Sequence, residues 1–147
     1  MKKMSKERIW LSQTVNLEYG NLGKKYIDCH VCDTYQAEIY VGFNPGYEVT
    51  EDTLGDKLSM VKLKSICQKF CDKNSLAVSV ENTSFIYRSG NESGAKIRFI
   101  NYPRYPAFKS NILTKALSLA HILKDEFSQY RVSVITTDKT YMLGEIE

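Results

Sequence analysis

The sequence predicts an α+β fold with a ferredoxin-like βαββαβ core, and element order, residue periodicity and composition support this prediction. From Gln36 to Ile135 the predicted order is strand, helix, strand, strand, helix, strand. Hydrophobic residues make up 43% and charged residues 25%, as in an ordinary globular chain. A length of 147 residues suits a single domain, 1–147, with one core. We therefore expect an antiparallel sheet with two helices on one face, which leaves the opposite face for a ligand or a second subunit.

Alternating apolar and polar residues predict the strands before the first helix. Residues 8–19 alternate, and residues 24–31 return as a second strand after a turn at 20–23. These extra N-terminal strands are expected to extend the sheet or to cover one of its edges. The first core strand runs from Gln36 to Phe43, and its core-facing residues are Ala37, Ile39, Val41 and Phe43.

Two segments have the periodicity of helices. The first extends from about Asp56 to Lys73, with Asp56 as its N-cap and Asn74 as its C-terminal stop. The second extends from a cap at Ser110 to about Gln129. Its predicted apolar stripe consists of Leu113, Ala116, Leu117, Ala120, Leu123 and Phe127.

The remaining strands lie on either side of the second helix. Residues 76–80 form a strand that continues through 84–88 or restarts there after a bulge. Turn formers predict a loop at 89–94, and residues 96–102 return as the partner strand until Pro103 and Pro106 stop it. Residues 131–135 form the last core strand, and 140–143 form a short C-terminal strand.

The net charge and the hydropathy of the chain argue against two classes of partner, duplex nucleic acid and membranes. A net charge of +3 is too weak to predict binding to duplex nucleic acid. No apolar run approaches the roughly 20 residues that span a bilayer. The basic N-terminus lacks the apolar stretch of a signal peptide, so we predict a cytoplasmic protein with no membrane partner.

The four cysteines form two close pairs. Cys29 and Cys32 form a CxxC, and Cys67 and Cys71 are four residues apart, so together they could form a four-thiolate zinc site. The second pair falls on one face of a predicted helix, where free cysteine behaves as a small hydrophobe. We therefore favour core cysteines and predict no metal and no cofactor. A reducing cytoplasm disfavours disulfides.

The sequence contains no recognisable catalytic set. Its two histidines, His30 and His121, belong to no HEXXH motif, and His121 is expected to be partly buried and hydrogen-bonded on the second helix. Neither a phosphate-binding loop of the GxxxxGK[ST] type nor a GxGxxG is present. No catalytic residue is therefore predicted from the motifs.

The segment 83–106 carries the clearest binding signal. It contains aromatic residues for stacking, arginine for phosphate, and acidic and amide groups that can read a base edge or a ribose. The predicted ligand contacts are Tyr87, Glu92, Asn101, Tyr102 and Arg104. The same residue types also suit an exposed sheet with no ligand. Tyr87 and Arg88 should point to opposite faces of a strand, so at most one of them can share a pocket with Glu92.

This segment also resembles a family of small, mostly uncharacterised phage and prophage proteins. The resemblance rests on T-x-F-I-Y at 83–87, G-x-E-x-G at 90–94 and I-N-Y-P-R-aromatic-P at 100–106. It extends more weakly into residues 116–120 and 142–143, while Arg88 and Asn91 depart from it. It implies a phage origin, and hence action in the cytoplasm of the host cell.

Three functions follow from this inventory. The favoured prediction is a non-catalytic phage protein that sequesters a small nucleotide-derived ligand, such as a host immune signal, as an anti-defence sponge does. The first alternative is a protein-interaction module or an inhibitor of a host protein. The second is a nucleotide-processing enzyme with Glu92 as acid or base. A homodimer or higher homo-oligomer is expected, because an uncovered sheet face or edge is costly to leave in water.

Overall fold

Seven strands and two helices form the described part of the chain. The computed structural model describes residues 12–18, 26–44 and 53–144. The predicted turn at 20–23 and the polar residues 47–52 lie outside these ranges. The elements are, in order, β1 (Ser12–Glu18), β2 (Tyr26–Cys32), β3 (Gln36–Gly42), α1 (Thr53–Asn74), β4 (Ser79–Tyr87), β5 (Gly90–Ile100), α2 (Lys109–Glu126), β6 (Arg131–Thr136) and β7 (Thr140–Gly144).

A five-stranded antiparallel sheet organises the molecule. Its strand order is β4-β5-β3-β6-β7. The four core strands follow the ferredoxin-like arrangement, and β7 adds to the edge beside β6, so the predicted fold class is confirmed. The prediction that the N-terminal strands extend this sheet is wrong. β1 and β2 pair with each other in a separate two-stranded sheet, from Ser12↔Cys32 to Glu18↔Tyr26, which satisfies their facing backbone groups.

The core lies between the helices and one face of the five-stranded sheet, which we call the helix face. The predicted residues Ala37, Ile39 and Val41 are fully buried there, as the two-residue period of β3 requires. Leu113 and Leu117 lie half-buried at the margin of the α2 contact. Ala116, Ala120, Leu123 and Phe127 of the predicted stripe are buried, and Ile112 and Leu119, which were not predicted, are buried with them.

The helices begin earlier than predicted. α1 begins at Thr53, so Asp56 lies inside its first turn and is not the cap. Its predicted end is confirmed, because the Asn74 side chain donates to the Phe70 carbonyl at 2.9 Å. Ser75 then takes a φ of 52°, in the left-handed region that terminates helices.

The predicted cap at Ser110 is also wrong. Phe108 is the N-cap of α2, with an extended backbone and no side-chain cap bond. Because the preceding amide of Ala107 donates to the Asn101 side chain at 2.9 Å, the chain is already fixed where α2 begins. α2 ends at Glu126, short of Gln129, and Ser128 has a φ of 50° just beyond it.

The β4–β5 hairpin is tighter than the sequence suggests. β4 runs unbroken from Ser79 to Tyr87, and β5 begins at Gly90. The predicted loop at 89–94 is therefore wrong. The turn consists of Arg88 and Ser89 alone, because Ser89 takes the left-handed conformation with a φ of 63°. Residues 90–94 belong to the strand, and their glycines serve side-chain packing instead of a turn.

No helix in the described ranges is long and apolar enough to cross a membrane.

Candidate functional site

The G-x-E-x-G segment lies on a strand, so its three marked residues share one face. Successive strand residues alternate between faces, and this places Gly90, Glu92 and Gly94 opposite the helix face. We call this side of the sheet the second face. On the neighbouring strand Tyr87 pairs with Gly90, and Phe85 pairs with Glu92. The motif thus sets a carboxylate beside two aromatic side chains.

Missing side chains at three glycines create the space for this arrangement. A Cβ added at Gly90 would collide with the Tyr87 ring, and one added at Gly94 would collide with the Phe85 ring. At Gly42 an added Cβ would lie 2.6 Å from Oε2 of Glu92. The glycines therefore allow both rings and the carboxylate to lie close against the sheet.

Three aromatic side chains, on β3 and β4, share the second face with Glu92. The Tyr40 and Phe85 rings meet edge to face, with centroids 6.3 Å apart and an interplanar angle of 67°. Tyr87 is 42% exposed. We call Tyr40, Phe85, Tyr87 and Glu92 the Glu92 cluster. Aromatic faces of this kind can stack on a flat base or attract a cation, and a carboxylate adds charge complementarity for that cation.

A backbone N–H holds the Glu92 carboxylate in place, and the pKa of this carboxyl is raised. The Asn44 N–H donates to its Oε2 at 3.2 Å, and the Gln129 side chain in turn donates to the Asn44 carbonyl at 2.7 Å. Partial burial raises the pKa of Glu92, although the Asn44 hydrogen bond opposes that rise. A carboxyl group that binds its proton more tightly than usual is suited to acid–base work.

Three other charged side chains of the second face form ion pairs with one another. The Lys96 ammonium lies 3.3 Å from a Glu38 oxygen and 3.5 Å from a Glu81 oxygen. The Tyr40 hydroxyl donates to Glu38 at 3.3 Å. The hydrogen bond to Glu38 raises the pKa of Lys96 and thereby favours its charged form. Glu92, by contrast, forms no salt bridge with the described residues, so its charge is directed to whatever approaches the face.

The five sequence-predicted contacts fall into two groups. Tyr87 and Glu92 lie together on the second face. Asn101 comes nine residues after Glu92, or about 30 Å along an extended strand. Tyr102 and Arg104 follow in the turn beyond β5, where Tyr102 bridges to Tyr105. One compact ligand cannot touch both groups.

The side-chain amide of Asn101 has a structural role. Its Nδ2 donates to the Asp33 carbonyl at 2.9 Å, and its Oδ1 accepts from the Ala107 N–H at 2.9 Å. Arg104 lies over the Tyr105 ring, with the guanidinium carbon 5.6 Å from its centroid.

The sequence interpretation missed three residues of the site. Tyr40, Phe85 and Gly42 are not among the predicted contacts, although Phe85 lies within the T-x-F-I-Y segment. A two-residue period counted from Tyr87 would have found Phe85. Tyr40 and Gly42 come from β3, and only the register of β3 against β5 brings them near Glu92.

The cysteines and histidines do not form a site in the described residues. There, no three or more His, Cys, Asp or Glu side chains are grouped to hold a metal ion, and the four cysteines are free. Cys67 is buried in the core, as its helical position predicts, and burial raises the pKa of its thiol to about 12. The expectation for His121 is wrong, because its side chain is 69% exposed on the outer side of α2, 3.6 Å from Asp125.

Two solved structures share this fold. The first is a phage SAM lyase in its apo state, 18% identical, with a TM-score of 0.58 over 76% of this chain and 89% of that one. The second is a phage SAM lyase in complex with S-methyl-5′-thioadenosine, 19% identical, with a TM-score of 0.52 over 76% of this chain and 90% of that one. No family model and no curated protein matches the chain.

These neighbours correct the functional prediction. Both are lyases by name, and one holds a nucleoside. They contradict the expectation of a non-catalytic protein that only sequesters its ligand. They favour the second alternative, a nucleotide-processing enzyme.

Proposed function

We propose that this protein is a phage anti-defence enzyme that cleaves S-adenosylmethionine as a lyase in the cytoplasm of the host cell. The observation that carries the proposal is the Glu92 cluster: a carboxylate with a raised pKa on the same sheet face as three aromatic side chains. The fold shared with two phage SAM lyases and the phage-like segment 83–106 support it. The fold alone would not suffice, because one architecture hosts many activities.

The cluster suits the chemistry of this substrate. S-adenosylmethionine combines a flat purine, a positively charged sulfonium and an ammonium group. Phe85 and Tyr87 offer faces for the purine or for the sulfonium, to which the ring quadrupole is attracted. Glu92 can hold the ammonium group or a ribose hydroxyl, since its carboxylate has a single hydrogen-bond donor from the described backbone.

The proposed reaction breaks the bond between sulfur and the γ-carbon of the amino-acid chain. The electron pair of that bond stays on sulfur, which becomes the neutral thioether of S-methyl-5′-thioadenosine. The γ-carbon receives its replacement electrons from the substrate's own carboxylate, giving a lactone, or from a neighbouring C–H bond, giving an alkene. Only the second route requires a base, and Glu92 would then take the proton. Neither route consumes water.

Product analysis tests the proposal. The purified protein is incubated with S-adenosylmethionine, and early products are separated and weighed by mass spectrometry. We expect S-methyl-5′-thioadenosine together with an amino-acid fragment one water lighter than homoserine. Homoserine labelled on its γ-oxygen from ¹⁸O-water would mean hydrolysis instead. Unchanged substrate, with a correctly folded protein, would contradict the proposal altogether.

Self-association belongs to the same proposal. The helices cover one face of the five-stranded sheet, whereas the second face carries Ile135 at 40% and Met142 at 65% exposure. Apolar side chains left exposed on a sheet favour contact with another copy of the chain. A homo-oligomer formed on this face would also remove water from the Glu92 cluster, which strengthens its electrostatic interactions.

A further inference from the structure

A cavity of about 610 Å³ lies at the end of the sheet away from Glu92. It is bounded by the C-terminal end of α1, the first turns of α2 and the turn after β5. Asn101 and Tyr102 are among its lining residues, and Arg104 lies beside another, Tyr105. All three of the sequence-predicted contacts that lie away from the Glu92 cluster are therefore at or beside this second cavity.

Lys115 supplies the cavity with a positive charge that forms no salt bridge with the described acidic residues. Its ammonium lies 2.7 Å from Oδ1 of Asn74, a neutral amide, and it forms no salt bridge with the described residues. Asp72 is the acidic residue of the lining, and its Oδ1 accepts a hydrogen bond from Gln68 at 2.8 Å. A half-buried lysine with only an amide partner is suited to bind an anion.

The rest of the lining suits a flat apolar group. The apolar part of the cavity wall consists of Leu76, Phe99 and Ile112. Tyr102 and Tyr105 stand at the cavity with 39% and 72% of their surface exposed. Exposed tyrosines beside an apolar wall can stack on an aromatic ring that enters between them.

We infer that this cavity is a second ligand site, for a small aromatic compound that carries a phosphate, in the chemical class of the nucleoside monophosphates. The phosphate would bind Lys115, and the ring would lie between the apolar wall and the tyrosines. The first turn of α2 contains no acidic residue that would repel the phosphate. This inference does not depend on the proposed lyase activity, because the two sites share no residue.

Calorimetric titration of the full chain with adenosine 5′-monophosphate and with adenosine tests the inference. We expect the monophosphate to bind, and Lys115→Gln to weaken it about tenfold, as for the loss of one charge-assisted hydrogen bond. Adenosine should bind the two proteins equally, since it has no phosphate. Lys124→Gln is the matched control, because it removes the same charge from the same helix outside the lining. It should leave monophosphate binding unchanged.

A third variant separates the two sites. Glu92→Gln should keep full affinity for the monophosphate, whatever it does to turnover of S-adenosylmethionine. Absence of monophosphate binding at millimolar concentration, or equal loss in Lys115→Gln and Lys124→Gln, would overturn the inference. So would loss of binding in Glu92→Gln alone, because the ligand would then occupy the Glu92 cluster.

Discussion

Glu92 serves two opposing demands, since the burial that tunes its proton affinity also makes its charge unfavourable for folding. Removing the carboxylate should therefore cost activity. Replacement by glutamine keeps the shape and the Asn44 hydrogen bond but cannot ionise. With Glu92 as the base of the alkene route, we expect turnover of S-adenosylmethionine to fall about 10²–10⁴-fold, in the range of lost acid–base groups. Glu81→Gln, on the edge strand and exposed, is the control and should retain most activity.

The pH dependence of turnover follows from the direction of the pKa shift. Burial raises the pKa of Glu92, so its carboxylate form is populated only above a pH that is higher than for an ordinary glutamate. Activity should rise with pH through this displaced pKa. Initial rates of the wild-type protein between pH 4 and 9 measure the rise, and residual activity of Glu92→Gln should lack it. A rise preserved in the glutamine variant would assign the titration to another group.

The contribution of Glu92 to folding stability should fall as the pH rises, whereas activity should rise. Because the folded-state pKa of Glu92 is raised, the folded protein binds this proton more tightly than the unfolded chain does. The contribution of Glu92 to stability is therefore complete below its unfolded-chain pKa and is lost as the pH rises through the folded-state pKa. At pH 7 Glu92→Gln should raise the Tm by about 2 °C, a small shift because water screens a partly exposed carboxyl. Thermal melts at pH 7 and pH 4 test this, and an advantage that persists at pH 4 would contradict it.

At the scale of the secondary-structure element, strand β5 depends on where its glycines lie. An added methyl at Gly94 would strike the Val41 backbone carbonyl as well as the Phe85 ring. At Gly90 its three nearest neighbours are all atoms of the Tyr87 side chain, which can rotate away. We expect Gly94→Ala to cost about 1–3 kcal/mol of unfolding free energy and Gly90→Ala less than about 1 kcal/mol. Urea denaturation compares the two directly. Equal losses would mean that the strand relaxes at Gly94.

The same strand illustrates what the sequence could and could not predict. Alternation in Gln36–Gly42 and the order of elements identify the sheet and its core face, because burial on one side forces a two-residue period. From the sequence, the glycines at 90 and 94 suggest a loop, because glycine is common in turns and a short segment shows only such local conformational preferences. In the structure Gly90 and Gly94 belong to a strand, because aromatic rings of β4 pack against them. That packing depends on the register of β4 against β5. The same dependence on register explains why Tyr40 on β3 is not among the predicted contacts, whereas Glu92 and Tyr87, which lie in one continuous segment, are.

At the scale of the whole molecule, the two faces of the sheet have different roles. The helix face is filled by side chains such as Ile39, Leu63 and Ile97, which are fully buried. The second face carries the Glu92 cluster and the paired charges around Lys96. Fold stability and the proposed chemistry are thus largely separated across one sheet, and substitutions of exposed side chains on the second face can test function without disrupting the core.

Met142 allows the proposed self-association to be tested on that face. It lies on the edge strand β7 opposite Ser133, 65% exposed, and contributes little to the core. We expect the wild-type chain to sediment above its monomer mass of 16.9 kDa. Met142→Lys should shift it toward monomer, because burying an unpaired ammonium at an interface costs several kcal/mol. Ser65→Lys, exposed on α1 on the other side of the sheet, adds the same charge and is the control. A wild-type monomer at every concentration, with full activity, would exclude the oligomer and leave the Glu92 cluster to act within one chain.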